Sequence, residues 1–559
     1  MIVKRESVVN KQFPSRLCAV STGKQSGDIA RFVEQGVKLF LLRNTLKLME
    51  HTTEECVEII NNLITPLQGI GKELEFVIEI NMDPTSEWLS QHPQERCDPC
   101  PVDAPCVSWG SELWKRDASI ALRSLTKALA KMPVRAVMLS TGASGIWGDA
   151  ADPRMVDTGR SMTYRLQNDL RIRYRKNVLL LRKEWNDPHR DFHTVRPPSI
   201  QDRRLGRGVL REPTRTRSIY DWLETLHSAL NSALLSFCKV VHETSHNGIA
   251  VAACCSSLFA VCEAGGMPAP LLEEDGPDVF IAPDGNRLCD GTLRLNGKVG
   301  YKFEQRTSPS FEIFSISEAV VKKPAKGTKQ IPGIALITDP SASFWLSERD
   351  GLKPLWTALR LQLDELEHSG LPYEIFSLGD LFHKQFPDTL LSVFLNTWYV
   401  SEAERRQIDA RIKRSGKMAL WLWGVGVLGE SGAMESHMLR MTGIKCRVQD
   451  LPGTLKVRPN PQAPLTMSLQ GRIGTDIMLS PTFQWADHDA ALLAVNSAGK
   501  PAMELHRFAE WTSVVCSAVP VPSELLKNLM SEAEYPQIPP VEKTAPAGRQ
   551  LQRKKVIRK

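Results

Sequence analysis

The chain has 559 residues, 42% of them hydrophobic and 24% charged, and a formal charge of +7. That length allows two to four domains, each with its own core, and the apolar fraction excludes wholesale disorder. No run of apolar residues approaches the roughly 18 needed to span a membrane as a helix, so membrane enzymes are set aside and membranes are not expected as partners.

The charge is unevenly placed. Seven basic residues, from Lys543 to Lys559, stand against Glu542 in the last twenty positions, so that segment carries +6 and everything before it +1. Its prolines and scarce apolar residues predict a disordered basic tail. A nearly neutral body does not read as a nucleic-acid binder, since that affinity rests on Lys and Arg against phosphate. A second basic cluster, Arg203, Arg204, Arg207, Arg211, Arg215 and Arg217, lacks the alternating aromatics of a stacking platform. It is expected to be a solvated or inter-subunit loop. The N-terminus shows no apolar signal core, and the twelve cysteines form no regular framework, so a cytoplasmic protein with reduced thiols is the default reading.

In chain order, the first 305 residues alternate short apolar runs with longer amphipathic ones. Strands are predicted at Leu17–Ser21, Val37–Leu42, Leu74–Ile80, Val134–Ser140, Ile249–Ala253, Val279–Ala282 and Lys298–Phe303. Helices are predicted at Gly27–Gln35, Glu54–Gly69, Glu112–Lys131, Gly159–Lys176 and Ser218–Thr244. This alternation implies an N-terminal (β/α)8 TIM-like barrel over residues 1–325, although no strand is visible between Asn177 and Arg217. The run KKPAKGTK at 322–329 reads as a linker. After it, strand and helix alternate again over 331–530 (strands at Gly333–Thr338, Tyr373–Ser377, Leu390–Asn396 and Met418–Gly424), implying a C-terminal doubly wound α/β domain with a parallel sheet. Residues 531–559 form the Pro-rich basic tail.

The motifs narrow the chemistry mainly by exclusion. There is no P-loop, no His-Glu-x-x-His and no Gly-x-Ser-x-Gly. The Gly424–Gly429 run lacks the acidic residue a dinucleotide site requires, so no cofactor is expected. Cys97, Cys100 and Cys106 contain a Cys-x-x-Cys half-site for zinc. No second pair completes it, and no metal site is assigned. In a barrel, the chemistry sits at the C-terminal strand ends. Those positions hold Arg43, Glu79, Asn81, the loop TGASGIWGD with Trp147 and Asp149, and Glu304 with Arg306. Trp88 joins them as a further aromatic, since indole faces beside carboxylates suit sugar rings.

The run from Trp109 through VRAVMLS and TGASGIWGD resembles the third-helix and fourth-strand region of the β-galactosidases of glycoside hydrolase family 42. TGRSMTYRLQNDLRIRYRKN with its Trp-Asn-Asp-Pro loop continues the likeness. YEIFSLGDLFHKQFPDTLLSVFLNTWYVSEAERRQIDARIKRSGKMALWLWGVG resembles that family's flavodoxin- or amidotransferase-like trimerisation domain. The resemblance runs from about Gly27 to about Ser531. It implies a retaining glycosidase acting on a β-galactoside or related glycan, with carbohydrate as ligand and a trimer or other homo-oligomer as its assembly. Its acid/base Glu falls at Ile146, which can neither donate nor accept a proton; Asp149 is the nearest substitute. Its nucleophile precedes an Arg-Thr pair, here Arg306 and Thr307, making Glu304 the candidate; the alternative for Glu304 is an ion-paired structural carboxylate. Arg43, Asn81, Trp88, Trp147 and Arg306 are the expected substrate-binding residues. The loss at Ile146 leaves open a degenerate relative that binds carbohydrate or a protein partner without cleaving.

Overall fold

The computed structural model describes residues 13–21, 26–71, 73–101, 105–282, 287–308, 311–316, 333–348, 352–430 and 434–534. The predicted linker at 322–329 and the tail beyond 534 lie outside these described residues.

The first sheet closes on itself through eight strands. They are β1 (Arg16–Ser21), β2 (Leu39–Lys47), β3 (Glu75–Asn81), β4 (Val134–Ser140), β6 (Ala250–Cys255), β7 (Val279–Ile281), β8 (Val299–Ser308) and β9 (Phe311–Ile316), with a two-residue β5 (Ile146–Trp147) beside β6. Each strand alternates. Ala136 and Met138 of β4, for example, join the barrel interior with Leu39, Leu41, Val77, Ala252, Val279, Tyr301 and Phe314, while Val137 and Leu139 face outward to the helices. Neighbours pair in parallel from β1 through β8, with β4 bonded directly to β6. No strand therefore needs to come from the polar segment 177–217.

The eighth stave departs from the expected (β/α)8 pattern. β9 runs antiparallel to both β8 and β1, so a hairpin closes the barrel where a helix and a parallel strand were expected. Its alternation is clean: Phe314 and Ile316 point in, Phe311 and Ile313 point out, and the ring of Phe32 from helix α1 (Ser26–Glu34) lies 5.2 Å from that of Phe311.

Around the barrel, α2 (Thr53–Gln68) starts on a capping box between Thr52 and Glu55. Next come α3 (Ser86–Gln91), α4 (Glu112–Leu129), which starts on the Ser111 hydroxyl, and α5 (Arg160–Arg173). The long α6 (Arg217–Thr244) buries the stripe Leu223, Leu226, Leu230, Leu234, Phe237 and Val241.

The second sheet is mixed where a uniformly parallel one was expected. Five strands, β10 (Ile334–Thr338), β11 (Tyr373–Ser377), β12 (Leu391–Phe394), β13 (Lys417–Trp421) and β20 (Trp511–Cys516), pair in parallel in the order β11-β10-β12-β13-β20. The sheet then continues antiparallel through β19 (Pro501–Arg507), β18 (Ala491–Val495), β15 (Gly453–Pro459) and β16 (Ile473–Leu479). Helices α7 (Leu352–Ser369) and α8 (Ser523–Glu534) belong to this domain.

The arginine-rich loop is only partly solvated: Arg204 and Arg215 are exposed, while Arg203 and Arg211 are buried. It threads between the two domains: Val209 N–H donates to Ser480 O at 2.7 Å and Arg211 N–H to Trp345 O at 2.8 Å. The buried Arg211 side chain donates to Phe344 O and Arg203 O, both at 2.9 Å. Gly208 is required there. Its φ of +63° favours glycine, and a Cβ would stand 2.0 Å from Ser480 O. Beside the loop, Tyr220 of α6 stacks on Trp345 at 4.8 Å and Trp345 on Tyr399 at 4.1 Å, so the junction is a packed seam.

Candidate active site at the barrel mouth

The inward positions toward the C-terminal ends of β3, β4 and β6 are Glu79, Ser140 and Cys254; Arg43 stands mid-β2, where its register against β3 shifts, and the start of the reversed β9 adds Glu312. Arg43 is the hub. Its Nη1 lies 3.1 Å from Glu312 Oε2, and its Nε lies 3.8 Å from Glu79 Oε2. On the far side, Arg306 Nη2 donates to Glu312 Oε1 at 2.6 Å. The mouth thus holds an alternating row of charges, Glu79, Arg43, Glu312, Arg306. Glu79 is 4% exposed, and its Oε1 would stand 3.1 Å from a Cβ at Gly145, whose φ is +73°. Only a glycine lets the loop after β4 lie against that carboxylate. Ser140 Oγ, buried in the same layer, has no hydrogen-bond partner among the described residues.

A cavity of about 190 Å³ opens here, lined among others by Arg43, Ile146, Cys254, Arg306, Glu312 and Phe314. It is smaller than the roughly 300–1,000 Å³ of drug-sized ligand sites, a scale for one ring rather than an extended chain. Phe314, edge-on to Phe303 at 5.9 Å, gives it an apolar wall. Burial pushes the Cys254 thiol up to about 12, which makes it a poor nucleophile. A larger hollow of about 410 Å³ lies at the domain junction, lined by Leu205, Gly206, Arg207, Glu212, Arg215, Thr216 and Asp450. Its charges are matched, Arg207 with Asp450 and Arg215 with Glu212.

Of the sequence-derived site residues, the structure brings Arg43 and Arg306 to the cavity; Asn81, at the end of β3, is not among its lining residues, and its Oδ1 accepts the Asp83 N–H at 2.9 Å. Ile146 lines the cavity too, so the acid/base position is at the mouth but carries an alkyl group. The others lie elsewhere. Glu304 is on the barrel's outer face, paired with Arg16 at 3.1 Å. Tyr301 and Phe303 fill the interior, so period-two alternation turns Glu304 outward. A register shift after Phe303 then restores Arg306 to the inner face, opposite Glu312. Trp147 is fully buried, donating to Leu139 O at 2.9 Å and packed near Phe237. Trp88 is held between α3 and α4 by a 3.1 Å bond to Asp117. Neither indole offers a face to the cavity. Asp149 caps its own turn, accepting the Ala151 N–H at 3.0 Å.

The loops after β3 and β4 are locked together behind the mouth. Arg154, 1% exposed, donates to Asp83 Oδ1 at 2.9 Å, Thr141 Oγ1 at 2.7 Å and Asp152 Oδ2 at 2.6 Å, and its guanidinium lies over Trp109 at 5.2 Å. Burial alone would raise the Asp83 carboxyl, but the charge of Arg154 and hydrogen bonds from Thr141 and Gly142 outweigh it and hold Asp83 below its ordinary value. Cys97, Cys100 and Cys106 adjoin this lock, with sulfurs within 4.8 Å of one another.

Glu312 is the residue that sequence reading missed. The signal was present: Ser-Pro-Ser followed by FEIFSI is a turn followed by an alternating strand, and its parity puts Glu312 beside Phe314 on the inner face.

No family model matches the chain, and no curated protein matches its sequence. Solved structures do match in shape. A β-galactosidase from Bacillus circulans sp. alkalophilus superposes with a TM-score of 0.63 at 10% identity, covering 94% of this chain and 89% of that one. A GH42 β-galactosidase from G. stearothermophilus gives 0.61 at 11% identity over 92% and 86%. The cold-adapted enzyme from Rahnella sp. R3 gives 0.61 at 12% identity over 91% and 86%. A barrel closed by eight strands, followed by a second α/β sheet and matched over both, gives this chain the fold of the family 42 β-galactosidases.

Proposed function

We propose that the chain is a divergent glycoside hydrolase acting on a β-galactoside or related glycan, with Glu79 and Glu312 as its carboxylate pair in place of Glu304 and Asp149. The observation that carries this reading is the Glu79–Arg43–Glu312 row at the mouth of a barrel with the β-galactosidase fold. One guanidinium touches both carboxylates, which supports a separation in the roughly 5–9.5 Å range over which paired carboxyl groups cleave glycosides. Glu79 lies against Gly145, next to the acid/base position that Ile146 cannot serve, and is assigned the proton transfer to and from the leaving oxygen. Glu312, held by charge-assisted bonds from Arg43 and Arg306, is assigned the attack at the anomeric carbon. Phe314 offers a wall for the sugar's C–H face.

Hydrolysis of aryl β-galactosides by Glu79→Gln and Glu312→Gln tests this directly. Both variants should lose roughly 10²–10⁴-fold in kcat, with Glu79→Gln hurt least on substrates with good leaving groups, whereas Glu304→Gln should match the parent. An active parent with undiminished Glu79→Gln and Glu312→Gln variants would sink the assignment. A second reading, carbohydrate binding without cleavage, is favoured by Ile146 and by the arginines that occupy both carboxylates; glycan binding by a parent that shows no turnover would select it.

A further inference from the structure

Three cysteines of the loop after β3 are brought together by a short antiparallel ladder. Arg96 bridges Val107, Cys97 N–H donates to Cys106 O at 3.0 Å and Ser108 N–H to Glu95 O at 2.8 Å, so Cys97 and Cys106 stand directly opposite each other. Their sulfurs are 2.8 Å apart, and Cys100 Sγ accepts the Cys106 N–H at 3.2 Å. Cys97 is buried, while Cys100 and Cys106 are partly open to solvent.

Two chemistries use such a group. A tetrahedral thiolate metal site, with metal–sulfur bonds near 2.3 Å, spaces its sulfurs by roughly 3.8 Å and needs a fourth ligand. Here one pair is much closer, and among the described residues the cluster contains no fourth His, Cys, Asp or Glu. A disulfide needs the pair at about 2.05 Å, a closure of less than 1 Å between residues already opposed across a ladder. We infer that Cys97 and Cys106 form a thiol–disulfide exchange site whose co-substrate is a small soluble disulfide such as oxidised glutathione.

The accessible Cys106 is the attacking sulfur. A hydrogen bond from the Cys97 thiol and the charge of Arg154, opposed by burial, hold the Cys106 thiol below its ordinary value, while the same partnership raises Cys97. Cys106 thiolate attacks one sulfur of the small disulfide, forming a mixed disulfide and releasing one thiolate. Cys97 then loses its proton to solvent and attacks the Cys106 sulfur, releasing the second thiolate. Two protein thiols are oxidised, one small disulfide is reduced to two thiols, and no other oxidant is required. The site does not depend on the proposed glycosidase reading. Because Asp98 N–H binds Asp157 at 3.0 Å and Thr158 N–H binds Asp98 O, the bond would brace the ladder against the loop after β4.

The test uses the reduced full-length chain, equilibrated with excess oxidised glutathione, then unfolded, alkylated and mapped by peptide mass. Reactive thiols should fall by two from the twelve of the chain, with Cys97 and Cys106 linked. Cys97→Ser should stop at one glutathione on Cys106, and Cys100→Ser should still form the bond. The proposal is overturned if Cys97 stays fully alkylatable in the parent chain. It is equally overturned if the purified chain holds one equivalent of zinc whose removal by chelator is what exposes these thiols.

Discussion

Arg154 shows how much of the mouth depends on a single side chain. Its charge is matched by Asp83 and Asp152 while it is almost wholly buried, and removing one partner of a buried ion network strands the others in a poor solvent for charge. Arg154→Met should therefore destabilise the chain by about 3–5 kcal/mol at neutral pH in urea unfolding; a loss under about 1 kcal/mol would show the network to be no more than a surface pair. The acid side has a definite sign. Asp83's folded carboxyl is held below its unfolded value, so its contribution is complete above roughly pH 4 and fades as pH falls through the lower, folded value. The penalty of Arg154→Met should shrink in step. At this scale the sequence was legible wherever a residue's role follows from strand position: Arg43 comes directly after the strand predicted at Val37–Leu42 and Arg306 shortly after the one predicted at Lys298–Phe303, and both reach the cavity. It misled where adjacency replaced parity. Glu304 drew attention as the acid nearest an Arg-Thr pair, yet Tyr301 and Phe303 already fix the inner face and leave Glu304 outside. The indoles misled for a different reason. Trp147 and Trp88 have apolar bodies and one donor each, and the core satisfies both, the donors with Leu139 O and Asp117.

Among the elements, those with one strong period were readable: Val134–Ser140 and Tyr373–Ser377 match their expected bounds. The unread ones are short or return on themselves. β9 pairs back onto β8, and β14 (Cys446–Gln449) shows only two buried positions, too little for a periodic signal. The end of β10 carries a consequence that no sequence pattern announced. Asp339 is buried there, its Oδ1 taken by the Ser341 N–H at 2.8 Å and the Ser341 hydroxyl at 2.6 Å. Burial, aided by the charge of Glu404, outweighs those bonds and pushes its carboxyl up to about 6. The unfolded group titrates near 3.9. The folded chain therefore holds a proton that the unfolded chain lacks between those values, and Asp339's contribution is complete below roughly pH 4 and lost as pH rises through about 6. Asp339→Asn keeps the acceptor and removes the titration. It should match the parent at pH 4 and exceed it at pH 8 by on the order of 3 kcal/mol, read from denaturant midpoints of the second domain. Equal differences at both pH values would exclude this role.

For the whole molecule, two sheets are joined by a loop that the charge pattern had suggested was free. The backbone bonds of Val209 and Arg211 and the glycine at 208 tie it to Ser480 and Trp345, so the buried Arg203 and Arg211 serve the seam between domains, while Arg204 and Arg215 stay exposed. That leaves the last twenty residues as the main source of net charge: without them the chain falls from +7 to +1. A basic segment attached to a nearly neutral body should act through long-range, salt-screened attraction, independent of any cavity. Deleting 540–559 is therefore expected to shorten retention on an anionic matrix at low ionic strength, with the difference vanishing as salt approaches 1 M, where the screening length is about 3 Å. The unfolding midpoint and glycan binding should not change. A large fall in either would mean that the tail is part of the folded body or of its mouth, and that charge and site are not separate.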